Sequence, residues 1–158
     1  MSGETVRISR SAIDTNAETK AVSEAGGNIG AVVTFSGICR ADEKGSQIVA
    51  LHLEHYAGMA EKEISAHVEE AKKRWPLLAA RVVHRVGRIE PGETIVFVAT
   101  ASAHREAAFA AAEFIMDYLK TSAPFWKKTE GGGKEAWVDA NEKDERATAR
   151  WEKKNAAE

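Results

Sequence analysis

Apolar residues recur along the chain with two periods, and the switches between them lay out the elements. Val6 and Ile8 alternate within Thr5 to Ser9 and predict a short strand. Residues 14–25 (DTNAETKAVSEA) predict a helix capped by Asp14 or Thr15 and ended by Gly26-Gly27. Ile29 to Ile38 (IGAVVTFSGI) is β-branched and aromatic, and predicts a largely buried strand. Polar residues 40–47 read as a loop. Ile48 to Tyr56 predicts a strand with Val49, Leu51, Leu53 and His55 on one face and His52, Glu54 and Tyr56 on the other. Met59 to Trp75 takes the helical period along Ala60, Ile64, His67/Val68, Ala71 and Trp75, and Pro76 stops it. Arg81 to Ile89 predicts a strand, Pro91-Gly92-Glu93 a tight turn, and Thr94 to Ala101 a central strand, apolar on both faces. Residues 103–120 predict a second long helix with Ala108, Ala111/Ala112, Ile115 and Tyr118/Leu119 inward. Gly131-Gly132-Gly133 reads as a flexible connection, 135–140 as a short strand and 142–154 as a charged terminal helix. Two long helices on a sheet of mixed direction predict an α+β or α/β sandwich, with residues 1–158 in one domain.

Composition narrows the function classes. The chain has 158 residues, 44% hydrophobic and 29% charged, as in a soluble globular protein. Its apolar runs are too short to span a bilayer, and MSGETVRISR lacks the apolar core of a signal peptide. The expected location is the cytoplasm. A formal net charge of −2 makes no case for nucleic acid, so any anion site must be a local cluster of cations. Cys39 is the one cysteine, which excludes an internal disulfide and a cysteine-built zinc cage. It is either a thiol activated by Arg40 or a small buried hydrophobe. His52 and His55 point to opposite faces of their strand and cannot chelate one ion together, and His67, His84 and His104 lack ligand spacing. No metal and no cofactor are expected.

The chemistry concentrates at Phe114 to Lys128, FIMDYLKTSAPFWKK. The helix ends before Pro124, which has no N–H to donate and disfavours helical geometry at Ala123. Lys120 and Lys127 therefore flank one turn, with Leu119, Phe125 and Trp126 beside them. A lysine held against apolar surface loses its proton more readily and becomes usable in acid–base work. The plainer alternative is two solvated charges. A second constellation is Ser102-Ala103-His104-Arg105. With Ser102 as N-cap, His104 and Arg105 fall in the first helical turn, where cations oppose the helix dipole and a bound anion explains them. A solvated arginine and a packed histidine explain them as well, and spacing does not decide. Arg40 follows a strand end, a common site position, or is a surface arginine. The triple glycine lacks the lysine and Ser/Thr of a phosphate loop.

DYLKTSAPFWKK, together with AVVTFSGICR, LEHYAGM, RWP, HRVG, PGE, VFVATASAHR and AAFAAAEFIMDYLK, resembles the catalytic (large) subunit of molybdopterin synthase. The blocks cover about residues 28–140, in the family's order. The resemblance implies an α/β hammerhead-like fold with a mostly antiparallel sheet. It implies a sulfurtransferase that converts cyclic pyranopterin monophosphate (precursor Z) to molybdopterin. Both sulfurs come from the thiocarboxylated Gly-Gly terminus of a small ubiquitin-like partner, and two large subunits form a homodimer within a heterotetramer. The last residues here, Asn155-Ala156-Ala157-Glu158, imply the acceptor and not the carrier.

By position, the resemblance makes Lys120 and Lys127 the active-site lysines. Lys120 is then the acid–base candidate beside the inserted tail, and Lys127 binds substrate and stabilises negative charge. Arg40, His104 and Arg105 match anion-binding positions. Phe35, Met116, Pro124 and Phe125 match apolar positions that shape the pocket. Cys39 is not the sulfur donor in this reading. Asn141 stands where some relatives carry an arginine, so that contact does not carry over. The competing readings are a phosphometabolite-binding module and a scaffold for a ubiquitin-like protein. The first predicts that Lys120→Ala weakens binding without a specific loss of turnover, and the second that complex formation is insensitive to Lys120 and Lys127.

Overall fold

A computed structural model describes residues 5–131 and, further on, residues 146, 148, 149, 151 and 152. In chain order these form β1 (Val6–Ser9), α1 (Thr15–Ser23), β2 (Ala31–Ile38), β3 (Asp42–Glu43), β4 (Ser46–Gln47) and β5 (Ala50–His55). There follow α2 (Met59–Arg74), β6 (Leu77–Arg85), β7 (Gly87–Ile89), β8 (Thr94–Ser102), α3 (Arg105–Thr121) and β9 (Phe125–Glu130). Among the described residues the strands form a four-stranded sheet β1-β6-β8-β2, a three-stranded sheet β7-β5-β9 and the hairpin β3-β4. Only the β1–β6 pairing is parallel.

β8 is the centre that its two apolar faces predict. Val96 and Val98 join Ile64 and Val68 of α2 and Phe114 and Ile115 of α3. Phe97, Ala99 and Ala101 point the other way and pack with Val22 of α1. The inward stripe of α3 is mostly alanine, and Ala108, Ala111 and Ala112 are buried. Small side chains let the helix lie close enough for the buried Thr100 Oγ1–H to donate to the Ala108 carbonyl at 2.6 Å. Phe114, Trp75 and Trp151 meet edge-on at 5.4–5.6 Å. The indole Nε1–H of Trp151 donates to Asp117 Oδ2 at 2.6 Å, which fastens a late segment of the chain to α3.

Several elements differ from the pattern reading. Residues 81–89 are not one strand: β6 begins at Leu77, and the chain leaves it through Gly87 (φ +87°) to enter the other sheet as β7. Such a φ suits glycine, and alternation alone could not locate the change of sheet. The loop 40–47 contains the hairpin β3-β4, turned by Lys44 (φ +53°) and Gly45 (φ +81°). β2 is half exposed, because it is the edge strand, and Phe35 and Ile38 face outward. Val49 is exposed since β5 starts after it, at Ala50. The short basic segment after Pro124 is a full strand, β9, paired to β5. The helix predicted at 14–25 is present as α1, beside the two long ones, and of its two candidate caps Asp14 is the one used, with Oδ1 accepting from Ala17 N–H at 3.0 Å. The strand predicted at 135–140, with Asn141, lies outside the described residues; of the terminal helix, residues 146, 148, 149, 151 and 152 are helical.

Phe114 is 1% exposed and Phe109, on the same helix, 62%. Phe114→Ala is therefore expected to cost about 4 kcal/mol, or roughly 10 °C of melting temperature. Phe109→Ala is expected to stay within about 0.5 kcal/mol, with both variants compared by urea titration.

Candidate active site

The lysine turn bridges the two sheets. α3 lies on the four-stranded sheet, and Lys120 is in its last turn. Ser122 N–H closes the helix on the Tyr118 carbonyl at 2.8 Å, and the chain passes through Ala123-Pro124 into β9 of the other sheet. Leu53 pairs with Lys127 and His55 with Phe125. Leu51 and Leu53 are buried, so Phe125 and Lys127 belong to the inner face and Trp126 and Lys128 to the outer one.

Lys120 lines a cavity of about 90 Å³ with Phe35, Gly37 and Ile38 of β2, Ile95 and Val96 of β8, His84 of β6, and Met116 and Leu119 of α3. The expected wall residues Phe35 and Met116 are therefore beside Lys120. A side chain at Gly37 would meet Val96 Cγ1 at 2.8 Å, so glycine keeps this corner open. Phe125 stacks on the His84 ring at 4.0 Å and 17°. Lys127 and Arg40 form the neighbouring part. Glu43 Oε1 lies 4.0 Å from Lys127 Nζ and 3.1 Å from Arg40 Nη2, so one carboxylate oxygen holds two of the predicted anion-binding cations.

Two predicted residues are elsewhere. His104 and Arg105 are exposed at the start of α3. Fifteen residues separate Arg105 from Lys120, which is about 22 Å along the axis. Ser102 is not the cap: it is the last residue of β8, buried, with Oγ–H donating to the Pro76 carbonyl at 2.8 Å. The N-cap is His104, whose side chain makes no capping bond. Strand β8 runs one residue further than its apolar pattern predicts, which moves the helix start.

The other reactive side chains take quieter roles. Cys39 is buried, and burial pushes its thiol up despite the opposing charge of Lys127. That fits the small hydrophobe and not the nucleophile. His52 Nε2 lies 2.9 Å from Glu130, and that hydrogen bond holds the Glu130 carboxyl below its usual range. His67 stacks on Tyr118 at 4.4 Å, and burial lowers its pKa.

The residue that sequence reasoning missed is His84. It is 8% exposed, on the central strand β6. Its Nδ1 is 2.9 Å from the Arg85 carbonyl, which can only accept, so Nδ1 carries the proton. Burial pushes its pKa down to about 4; the Arg85 hydrogen bond opposes this, while Lys120 and His55 add to it. The available signal was a histidine inside the apolar alternation of Val82, Val83 and Val86, and spacing assigned it nothing.

The depressed pKa of His84 has a sign for stability. The unfolded chain binds the proton below about 6.5 and the folded chain only below about 4. Its contribution is therefore fully present above pH 6.5 and lost as pH falls to about 4, by up to about 3 kcal/mol. Urea unfolding across that window is expected to show the slope, and His84→Gln to flatten it.

The family model described as MoaE protein matches residues 8–122, from β1 to the end of α3. A molybdopterin synthase catalytic subunit of Mesorhizobium japonicum is 54% identical over 149 residues, covering 93% of this chain and 92% of the relative. Another, from Pseudomonas aeruginosa, is 48% identical over 147 residues, covering 93% and 98%. The solved structure of the molybdopterin biosynthesis MoaE protein of Burkholderia ambifaria superposes with TM-score 0.81 at 47% identity, covering 94% of this chain and 97% of that one. That of a molybdopterin synthase of Staphylococcus aureus gives 0.79 at 30% identity, covering 87% and 98%. With the matched stretch carrying both the central sheet and the helix that ends in Lys120, the chain belongs to the MoaE protein family.

Proposed function

We propose that Lys120 and Lys127 carry out sulfur transfer to precursor Z, with sulfur delivered by the thiocarboxylated Gly-Gly tail of a small ubiquitin-like partner. The chain is an enzyme of molybdenum cofactor biosynthesis, a molybdopterin synthase catalytic subunit, like its relatives at about half identity. The observation that carries the reading is the lysine turn: one linker places Lys120 beside an apolar cavity and Lys127 beside Arg40, on the inner faces of two sheets. A thiocarboxylate sulfur is already nucleophilic. The protein needs to supply positioning, positive charge where anions develop, and a proton donor. The Lys120 ammonium donates the proton, and Lys127 with Arg40 holds the anionic groups. Phe35, Met116, Pro124 and Phe125 shape the apolar side of the pocket.

His104 and Arg105 enter this site from a second copy. About 22 Å of helix separates them from Lys120 in one chain, too far for a single small substrate to span. Among the described residues β2 leaves a sheet edge unpaired, with Phe35 and Ile38 exposed along it next to the cavity. A second chain along that edge covers the apolar residues and supplies the phosphate-binding pair, giving a homodimer to which two carrier subunits add. No helix among the described residues is long and apolar enough to cross a membrane. We assign the reaction to the cytoplasm, from membership in a family of bacterial cofactor-biosynthesis proteins.

In single turnover with thiocarboxylated partner and precursor Z, followed by mass spectrometry, Lys120→Ala is expected to lose at least about 100-fold in rate while partner affinity stays within a few-fold. Retained turnover would instead point to a binding module or scaffold. Mixing Lys120→Ala chains with Arg105→Ala chains is expected to restore about a quarter of the activity, because half the dimers are mixed and each mixed dimer has one intact site. No recovery in demonstrably exchanged dimers would place both residues in one protomer's site. Glu43→Gln removes the carboxylate that competes with incoming anions. It is expected to tighten inorganic phosphate binding about threefold by calorimetry, a modest effect because the pairs are exposed.

A further inference from the structure

Arg85 and Glu93 come from two of the motif blocks, HRVG and PGE, and neither has a role in the pocket assigned above. Arg85 is 8% exposed at the end of β6. Its Nη1–H donates to Glu93 Oε2 at 2.8 Å and its Nη2–H to the Arg88 carbonyl at 3.4 Å. Its buried Nε has no hydrogen-bond partner among the described residues. A buried guanidinium with one donor unmet is a poor device for stability alone, since apolar side chains of similar volume often do as well. The other Glu93 oxygen, Oε1, accepts the Glu90 N–H at 2.8 Å, and the Glu93 N–H reaches the Glu90 carbonyl at 3.0 Å. The turn from Glu90 to Glu93 is thus closed on itself and tied to β6 by one carboxylate.

That turn holds the chain just before Arg40. The pairing of β2 with β8 jumps from Gly37–Val96 to Ile38–Thr94, which leaves Ile95 as an extra residue on β8. Past this bulge the Cys39 N–H donates to the Glu93 carbonyl at 2.9 Å, and the Gly92 N–H donates to the Cys39 carbonyl at 2.8 Å. The Cys39 side chain is buried with Ile48, Leu51, Leu53 and Ile89. Both backbone groups and the side chain of Cys39 are therefore fixed, and Arg40 is the first residue to leave this anchor. Its guanidinium ends 3.1 Å from the Glu43 oxygen that Lys127 also faces. We propose that the Arg85–Glu93 pair positions Arg40: it fixes the turn to which Cys39 is bonded, and so the point from which Arg40 reaches a bound anion. The anion-binding part rests on the function proposed above for Arg40.

Two measurements on the full chain test this. In amide hydrogen exchange followed by NMR, Glu93→Ala is expected to speed exchange of the Cys39 N–H at least about tenfold more than that of the Val98 N–H in the centre of β8. Equal acceleration at both sites means general destabilisation and overturns the anchor. In single turnover with thiocarboxylated partner and varied precursor Z, Glu93→Ala is expected to raise the half-saturating concentration about fivefold and to leave the maximal rate within about twofold. Arg40→Ala is expected to raise it at least as much, and adding Glu93→Ala to Arg40→Ala to raise it no further, because the pair acts through Arg40. Effects that multiply in the double variant place the Glu93 contribution elsewhere and overturn the proposal. Should Glu93→Ala not fold, Arg85→Met combined with Glu93→Ala leaves no buried charge unpaired, and it is held to the same two results. The readings fail separately. Arg40→Ala that leaves half-saturation unchanged, with Cys39 exchange selectively faster in Glu93→Ala, removes Arg40 from anion binding and keeps the backbone anchor. Equal exchange at Cys39 and Val98, with wild-type turnover intact, removes the positioning role and keeps sulfur transfer.

Discussion

Close packing of α3 on β8 is the constraint from which the site follows. The alanine stripe brings the helix down onto the strand, and the Thr100–Ala108 hydrogen bond inside that contact fixes its depth. A larger residue at Ala108 or Ala111 would lift the helix from the sheet. The consequence reaches the far end of α3. Lys120 can line a cavity under β2 only because the helix lies this close, and β9 can start where it pairs with β5 only because the helix ends where it does. Pro124 separates the two regimes, and the lysines on either side inherit their directions from two different sheets.

Charge in this region is arranged by burial more than by count. The chain is mildly acidic as a whole, yet Arg40 and Lys127 meet at one carboxylate and Lys120 lines the cavity at the other end of the lysine turn. Glu43 offsets two of them from an exposed hairpin, where an ion pair is weak and exchangeable. His84 lines the cavity together with Lys120, from the interior, where its own charging is suppressed. A weak, exchangeable outer carboxylate suits a pocket that must admit anions.

Much of the fold was legible because its signals are local. The 3.6-residue stripe of α3, the two-faced apolar run of β8, the Asp14 cap and the stop at Pro124 all follow from side chains within a few positions of one another. What was misread depends on partners distant in the chain. β6 and β7 look like one alternating strand, since a change of sheet leaves alternation intact and shows only as the positive φ of Gly87. β2 has a buried strand's composition and an edge strand's exposure, because composition does not say how many neighbours a strand has. His84 stands in the HRVG block, but no role was read for it there. Its importance comes from a cavity closed by residues of four elements.

The sequence by itself determined the element types, the two lysines flanking one turn and, through its motif blocks, the family, since these rest on local sterics, periodicity and matched residues. Only the tertiary structure decided which candidates share a site. It brought Arg40 and Lys127 to one carboxylate oxygen, set His84 beside Lys120, and left His104 and Arg105 at the other end of α3. The reason is geometric: a helix separates residues by 1.5 Å per position, while strand pairing and packing join residues far apart in the chain, and a distance of the second kind is written in no local pattern.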